Sequence, residues 1–251
     1  MRVEIVTTAV QPSRPELLAP PDLARWQRLR RAVDRDRFST GAVLRQAVLR
    51  ERAGRAVPVV RRCRGCGATD HGEVQPVAPE DRSRWRTSIS HAGGTVALAV
   101  ADCEGVDVDV GLDVEVVART DLRIAPLVLS DVEQLPASTR WDLCGVWTAK
   151  EAVLKALGCG LHVAMTELEV RPRTADGEPG SPGWIAHAAG DDSRLQPLRE
   201  QPCPVVDLTC VVGGSQRAAL AVTGADRTHL EHRPVTSARW QSWVGRLLGD
   251  A

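Results

Sequence analysis

The 251 residues include no Tyr, no Asn and a single Phe, and only two Lys, Lys150 and Lys155, against thirty Arg. Seven Trp are the other aromatics, and the Arg-rich segment between Asp22 and Arg64 has few aromatics beyond Trp26, which argues against the interleaved rings on which single-stranded nucleic acid stacks. Acidic and basic residues balance at 32 each, so no net charge draws the chain to nucleic acid or an anionic membrane. No apolar run is long enough to cross a bilayer, and no apolar h-region opens the chain. The seven cysteines are odd in number and irregularly spaced, which argues for reduced thiols rather than a disulfide framework. These absences predict a soluble cytoplasmic protein with no nucleic-acid or membrane partner.

The scarce residues share AT-rich codons, as expected of GC-rich coding DNA. Under such drift a Lys that only supplies charge can become Arg at little cost. A Lys needed as a compact, hydrated point charge cannot, because the guanidinium is a wide planar fork. Both lysines fall in one stretch, CGVWTAKEAVLKALGCGL, from Cys144 to Leu161. Charge is also segregated. Thirteen Arg and four acids lie between Asp22 and Arg64, and six acids with no base lie between Ala101 and Val117. An Arg-rich segment suits a phosphate-bearing ligand, and a carboxylate-rich one suits a hard metal ion.

Arg2 to Val10 reads as a strand. Pro20-Pro21-Asp22 starts a helix with Asp22 as N-cap, and Leu23, Trp26, Leu29, Ala32 and Val33 form its core face. A second helix is expected from Ser39 or Thr40, then loop and turn from Ala53 to Glu80. Within that loop Cys63 and Cys66 form a C-x-x-C followed by His71. No second pair completes a four-ligand zinc site, so it reads as a Gly-rich turn with two free thiols. Thr87 to Val100 (TSISHAGGTVALAV) reads as a hairpin about Gly93-Gly94, and Val110 to Val117 (VGLDVEVV) as a strand. Ser130 and Glu133 have the spacing of a capping box opening a helix that Pro136 ends. A further helix spans about Thr139 to Leu157, with Gly158 as its C-cap. Arg171 to Pro204 reads as a surface excursion around a strand at Trp184 to Ala188, and the last 25 residues as a short helix carrying Trp240, Trp243 and Leu247. Leu208 to Val222 (LTCVVGGSQRAALAV) echoes the first hairpin. The echo predicts an α/β (α+β) protein of two similar subdomains, residues 1–109 and 110–251, about a pseudo-twofold axis.

Asp113 and Glu115 share one face of their strand, opposite Leu112, Val114 and Val116. Two carboxylates on an apolar strand are costly unless a cation or donors neutralise them, and Mg²⁺ fits. Trp147, Glu151 and Lys155 share a helix face at i, i+4 and i+8. Glu151 can complete the acidic site or accept a proton, and Lys155 can neutralise a leaving phosphate.

Three blocks in this order resemble the Sfp-type 4′-phosphopantetheinyl transferases: SISHAGG at Ser88 to Gly94, VGLDVEVV, and WTAKEAVLKALGCGL at Trp147 to Leu161. DRDRFSTG at Asp34 to Gly41 and the C-x-x-C-G…H-G turn look like actinobacterial members. The resemblance implies the fold of that family, with its two related halves. It also implies transfer of the 4′-phosphopantetheine arm of coenzyme A to a serine of an acyl or peptidyl carrier protein, releasing adenosine 3′,5′-bisphosphate. Such carriers serve polyketide, nonribosomal peptide or fatty acid synthesis.

By the same resemblance Asp113, Glu115 and Glu151 hold Mg²⁺, or Mn²⁺ in its place, and Glu151 and Lys155 are catalytic. Arg25, Arg37, Ser90, His91, Asp113, Lys150 and Lys155 bind coenzyme A, in a protein expected to act as a monomer. Glu73 departs from the pattern, standing where many members carry Lys. The rivals are a Mg²⁺-dependent phosphohydrolase acting on coenzyme A or nucleotides, and a zinc-knob nucleic-acid module built on Cys63, Cys66 and His71.

Overall fold

The computed structural model describes residues 1–133, 139–173, 183–225 and 228–249. Its chain runs β1 (Arg2–Ala9), α1 (Pro20–Arg28), α2 (Ala32–Ala53), β2 (Val59–Arg62), β3 (Glu73–Pro76), α3 (Pro79–Arg84), β4 (Trp85–Ala92), β5 (Thr95–Asp102) and β6 (Asp109–Val116). It continues through α4 (Ala125–Val128), α5 (Arg140–Ala156), β7 (Leu168–Pro172), β8 (Gly183–Ala188), α6 (Gln196–Glu200), β9 (Cys203–Asp207), α7 (Thr209–Val212), β10 (Gln216–Thr223), β11 (His229–Pro234) and α8 (Ser237–Gly249).

Strand alternation explains the layers. On β5, Ala97, Ala99 and Ala101 enter a core shared with Leu112 and Val114 of β6 and Leu220 of β10. Val96, Leu98 and Val100 point the other way, against Val43, Leu44 and Ala47 of α2 and Trp240 and Trp243 of α8. A strand buried on both faces reads as a continuous apolar run, as TVALAVA does. The second sheet has the same build, with α5 covering its outer face. The sheets run β11-β1-β5-β4 and β6-β10-β9-β8-β7, beside a small β2-β3 pair. Only β1 and β11 pair in parallel among the registered neighbours, an α+β pattern. The first sheet therefore takes an edge strand from the end of the chain, and the tail that showed no chemistry in the sequence carries part of the core.

The sheets meet along β4 and β6 through side chains. Ser88 Oγ accepts from the Leu112 amide at 2.9 Å and Ser90 Oγ from the Val114 amide at 3.1 Å. Serines two apart on one strand thus match amides two apart on the other.

Several expected elements differ. α2 begins at Ala32, not at Ser39 or Thr40, because those hydroxyls have other partners. Ser39 Oγ accepts from the Arg14 amide, and Thr40 Oγ1 accepts from Gln11 N and donates back to Asp36 O. Ala32 and Val33 are consequently exposed at its start rather than on the core face of α1. Asp22 caps nothing: it lies inside α1, whose N-cap is Ala19, and pairs with Arg45 at 2.9 Å. The Ala53–Glu80 stretch contains the β2-β3 hairpin, and the excursion after Arg171 contributes β8 and β9 to a sheet. The echo of the first hairpin is broken at Thr209–Val212, a helical turn, because Asp207 Oδ1 takes the Thr209 amide at 2.8 Å. Ser130 to Glu133 is a turn in which Glu133 accepts the Ser130 amide; Pro136 lies outside the described residues.

Candidate active site and metal centre

β6 and α5 bring the carboxylates together. A Cβ on Gly111 would overlap the Ala152 carbonyl and the Ala156 amide, so this glycine lets the helix lie directly on the strand. Gly111, Asp113 and Glu115 share a face. The close approach therefore faces Asp113 and Glu115 with Glu151 and Lys155, one and two helical turns beyond Trp147. Thr139 and Asp142 close a reciprocal capping box that starts α5. Gly111→Ala is expected to push α5 outward, with about 1–3 kcal/mol lost to overpacking and divalent-ion binding lost with it. Thermal unfolding and calorimetric titration with Mg²⁺ check both, and unchanged Mg²⁺ binding would contradict the packing account.

One carboxylate oxygen from each of Asp113, Glu115 and Glu151 lies within 4.8 Å of the others. Asp113 is 1% exposed. Its Oδ1 accepts from Ser90 Oγ at 2.9 Å and from Lys155 Nζ at 2.6 Å, while its buried Oδ2 has no hydrogen-bond partner among the described residues. Lys155 also donates to Leu112 O at 3.2 Å and stands 3.5 Å from Glu151 Oε1. Trp147 Nε1 donates to Glu151 Oε2 at 3.0 Å. Desolvation, then the charges of Asp113 and Glu151, raise the Glu115 carboxyl to about 7. Glu151 is raised as well, by desolvation against the pull of Lys155. Desolvation opposes the charge on Lys155, but Asp113 and Glu151 outweigh it and hold the ammonium above its usual value. Three crowded oxygen donors, one of them orphaned, fit a hard divalent cation.

The raised carboxyl sets a sign for metal binding. A cation binds the ionised form, so Mg²⁺ affinity is expected to fall about tenfold per pH unit below about 7 and level off above it. Binding near pH 6.5 should release a proton, measurable by calorimetry in buffers of different ionisation enthalpy. Without metal, the folded state holds a proton that the unfolded chain has lost between pH 4.5 and about 7, so stability falls as pH rises through that window.

The acids form part of a cavity of about 540 Å³ that also takes in Arg25, Arg37, Arg45, Arg61, Ser90 and His91. Asp22 pairs with Arg45 at 2.9 Å and lies 3.7 Å from Arg61. Burial, then the neighbouring Arg25, lower Arg61 to about 10, still charged at neutral pH. Arg37 lies 3.4 Å from Asp34, and Arg25 lines the same end of the cavity, so four guanidiniums stand against two carboxylates there, a local excess of positive charge that suits an anion. Arg37 is partly committed, since Nε and Nη2 donate to Gly93 O at 3.0 and 2.7 Å and hold the turn after His91. His91 is exposed where it lines the cavity; desolvation of its ring, then the charges of Arg37 and Lys155, lower its pKa. Glu73 lines the cavity too, its charge met by Arg64 Nε and Nη2 at 3.0 and 2.7 Å.

Of the metal, catalytic and coenzyme A-binding residues that the resemblance implies, all but Lys150 line this cavity. Lys150 points away, fully buried. Its Nζ donates to Glu133 Oε2 at 2.5 Å, Val128 O at 2.7 Å and Met165 O at 3.0 Å. The expected coenzyme A contact of Lys150 is corrected accordingly: it is five positions from Lys155, which puts the two on different sides of the helix. Arg45 and Arg61 were missed. Arg37, Gly41 and Arg45 recur at i, i+4 and i+8, a signal available in the sequence; Arg61 arrives only through the β2-β3 fold.

Residues 109–201 match the family model of the 4′-phosphopantetheinyl transferase superfamily. A Synechocystis sp. protein provisionally named a 4′-phosphopantetheinyl transferase is 28% identical over 161 residues, which cover 62% of this chain and 63% of that relative. The match thus spans less than two thirds of the relative's length. Thermotoga maritima holo-[acyl-carrier-protein] synthase aligns with TM-score 0.36 and 23% identity, over 47% of this chain and 64% of that one. The segment matched by the family model, 109–201, carries all three acids and Lys155.

Proposed function

We propose that this chain transfers the 4′-phosphopantetheine arm of coenzyme A to the serine of an acyl or peptidyl carrier protein. The observation that supports this most is the meeting, in one cavity, of the Asp113–Glu115–Glu151 trio, Lys155 and four arginines. In this reading residues 1–109 hold the nucleotide end of coenzyme A, and residues 110–251 hold the pyrophosphate and the carrier serine. Arg25, Arg45 and Arg61 bind the nucleotide phosphates, with Ser90 and His91 beside them.

The serine oxygen forms a bond to the pantetheine-side phosphorus as the bond from that phosphorus to the bridging oxygen breaks. The serine proton passes to Glu151, whose raised pKa brings it nearer the working pH of a general base. Trp147 holds one Glu151 oxygen and leaves the other facing the acids and Lys155. The bridging oxygen leaves on adenosine 3′,5′-bisphosphate, and Lys155 neutralises the charge that develops there. Asp113, Glu115 and Glu151 would hold Mg²⁺ or Mn²⁺, which when bound supplies Lewis-acid charge to the pyrophosphate oxygens. Such a transfer needs positioning and charge more than covalent help from the protein.

The test is intact-mass spectrometry of apo carrier proteins incubated with this protein, coenzyme A and Mg²⁺. A gain of one phosphopantetheine arm, lost on adding EDTA, is expected. No gain on fatty acid, polyketide or nonribosomal-peptide carriers, with coenzyme A consumed without them, would replace transfer by phosphohydrolysis.

A further inference from the structure

We propose that Cys63, Cys66 and His71 form a zinc site at the tip of the β2-β3 hairpin, and that the ion pins this hairpin to the rim of the cavity. The proposal stands on side chains outside the acidic centre and does not rest on the transfer reaction. One donor atom from each of the three residues lies within 4.8 Å of the others. Cys66 Sγ is 3.3 Å from His71 Nε2, so sulfur and nitrogen converge on one point. Two thiols and an imidazole are the donor set of zinc, whereas Mg²⁺ takes oxygen.

The backbone is shaped for the same purpose. Gly67 N donates to Cys63 O and Cys63 N to Ala68 O, both at 2.9 Å, closing a tight turn in which Gly67 takes φ +72°. His71 Nδ1 lies 2.7 Å from Asp70 Oδ1. A carboxylate behind one ring nitrogen fixes the tautomer and leaves the other nitrogen free for a metal. Two idle thiols in a surface turn would need neither the histidine nor the carboxylate behind it. Cys63, Cys66 and His71 are the donors that converge here among the described residues, and Cys66 and His71 are exposed, which leaves the fourth position of a tetrahedral ion open to water.

The residue between the cysteines carries the consequence. Arg64 reaches out of the turn, its Nη1 and Nη2 donating to the two Asp109 oxygens at 2.7 and 2.6 Å. It also packs on Gly158, where a Cβ would meet its Cδ at 2.5 Å. Asp109 opens β6 and Gly158 follows α5, so the turn is tied to both elements that carry the acids. A metal that holds Cys63 and Cys66 holds Arg64 between them.

The test uses the full chain, reduced and metal-free, titrated with Co²⁺ alone and then with Zn²⁺. One Co²⁺ per chain with a thiolate-to-metal charge-transfer band and tetrahedral d–d absorption is expected, both lost on adding one equivalent of Zn²⁺. Cys63→Ser/Cys66→Ser should lose the band while keeping its far-ultraviolet circular dichroism, and Asp113→Ala should keep the band, separating this site from the acidic one. Zinc should also slow amide exchange across residues 59–76. No charge-transfer band in the wild-type protein, or a band that survives in the double serine variant, overturns the site. A Cys63–Cys66 disulfide that persists under thiol reductant would replace it by a redox turn. Exchange unchanged by bound zinc overturns the pinning role.

Discussion

Lys150→Met is expected to destabilise the protein by about 3–5 kcal/mol, the usual cost of breaking one side of a buried ion pair. The ammonium is fully buried, and desolvation lowers its pKa against the pull of Glu133. Glu133 is buried too; besides Lys150 it accepts the Ser130 amide at 2.8 Å and the Val170 amide at 2.7 Å. Removing the lysine leaves a carboxylate in a dry site and strips the Val128 and Met165 carbonyls of their donor. Lys150→Met combined with Glu133→Gln should recover part of the loss, because the amide is neutral and its oxygen still accepts a backbone N–H. Lys150→Arg should not recover it, since the planar fork has no room in a site with no exposure. Denaturant unfolding of the three variants measures this. Wild-type stability for Lys150→Met would instead return the residue to the ligand role that its place in the sequence suggested.

The second large effect concerns chemistry. Glu151→Gln is expected to slow carrier modification by about 10²- to 10⁴-fold, the range attributed to a general base. Gln keeps the volume of Glu, and its oxygen can still accept from Trp147 Nε1, so the fold should persist. The carboxylate also belongs to the metal trio, so the decisive measurement is the initial rate at saturating Mg²⁺. A residue that only holds the ion is rescued by excess ion, as Glu115→Gln should be in large part. A residue that takes the serine proton is not rescued. Full recovery of Glu151→Gln at high Mg²⁺ would remove the base role and leave Glu151 as a ligand.

Much of the candidate site was readable in the sequence because it lies on regular elements. Alternation put Asp113 and Glu115 on one face of β6, and the i, i+4, i+8 rule put Trp147, Glu151 and Lys155 on one face of α5; both hold in the structure. The hairpin about Gly93-Gly94 follows from two apolar runs flanking a turn that needs a positive φ at Gly93. Boundaries were less legible. Ser39 and Thr40 look like helix starts by propensity, yet tertiary partners in the loop after β1 take their hydroxyls, and α2 runs on through them. Ser130 and Glu133 have capping-box spacing and Glu133 does accept the Ser130 amide, but the same carboxylate also takes a buried lysine 17 positions away, which no local spacing announces.

By itself, then, the sequence placed the candidate acids and lysines on their elements and faces, because strand and helix periodicities are local properties of the backbone. It also singled out the two lysines as candidates for groups that need a compact ammonium. Only the tertiary structure decided that they have different partners. One direction around α5 leads to the carboxylates of β6 through the gap at Gly111, and the other into a dry pocket closed by Glu133. It alone brought Arg61, from the β2-β3 hairpin, beside Arg45 over the single carboxylate of Asp22. These are long-range juxtapositions set by which apolar faces pack together, and no local spacing encodes them.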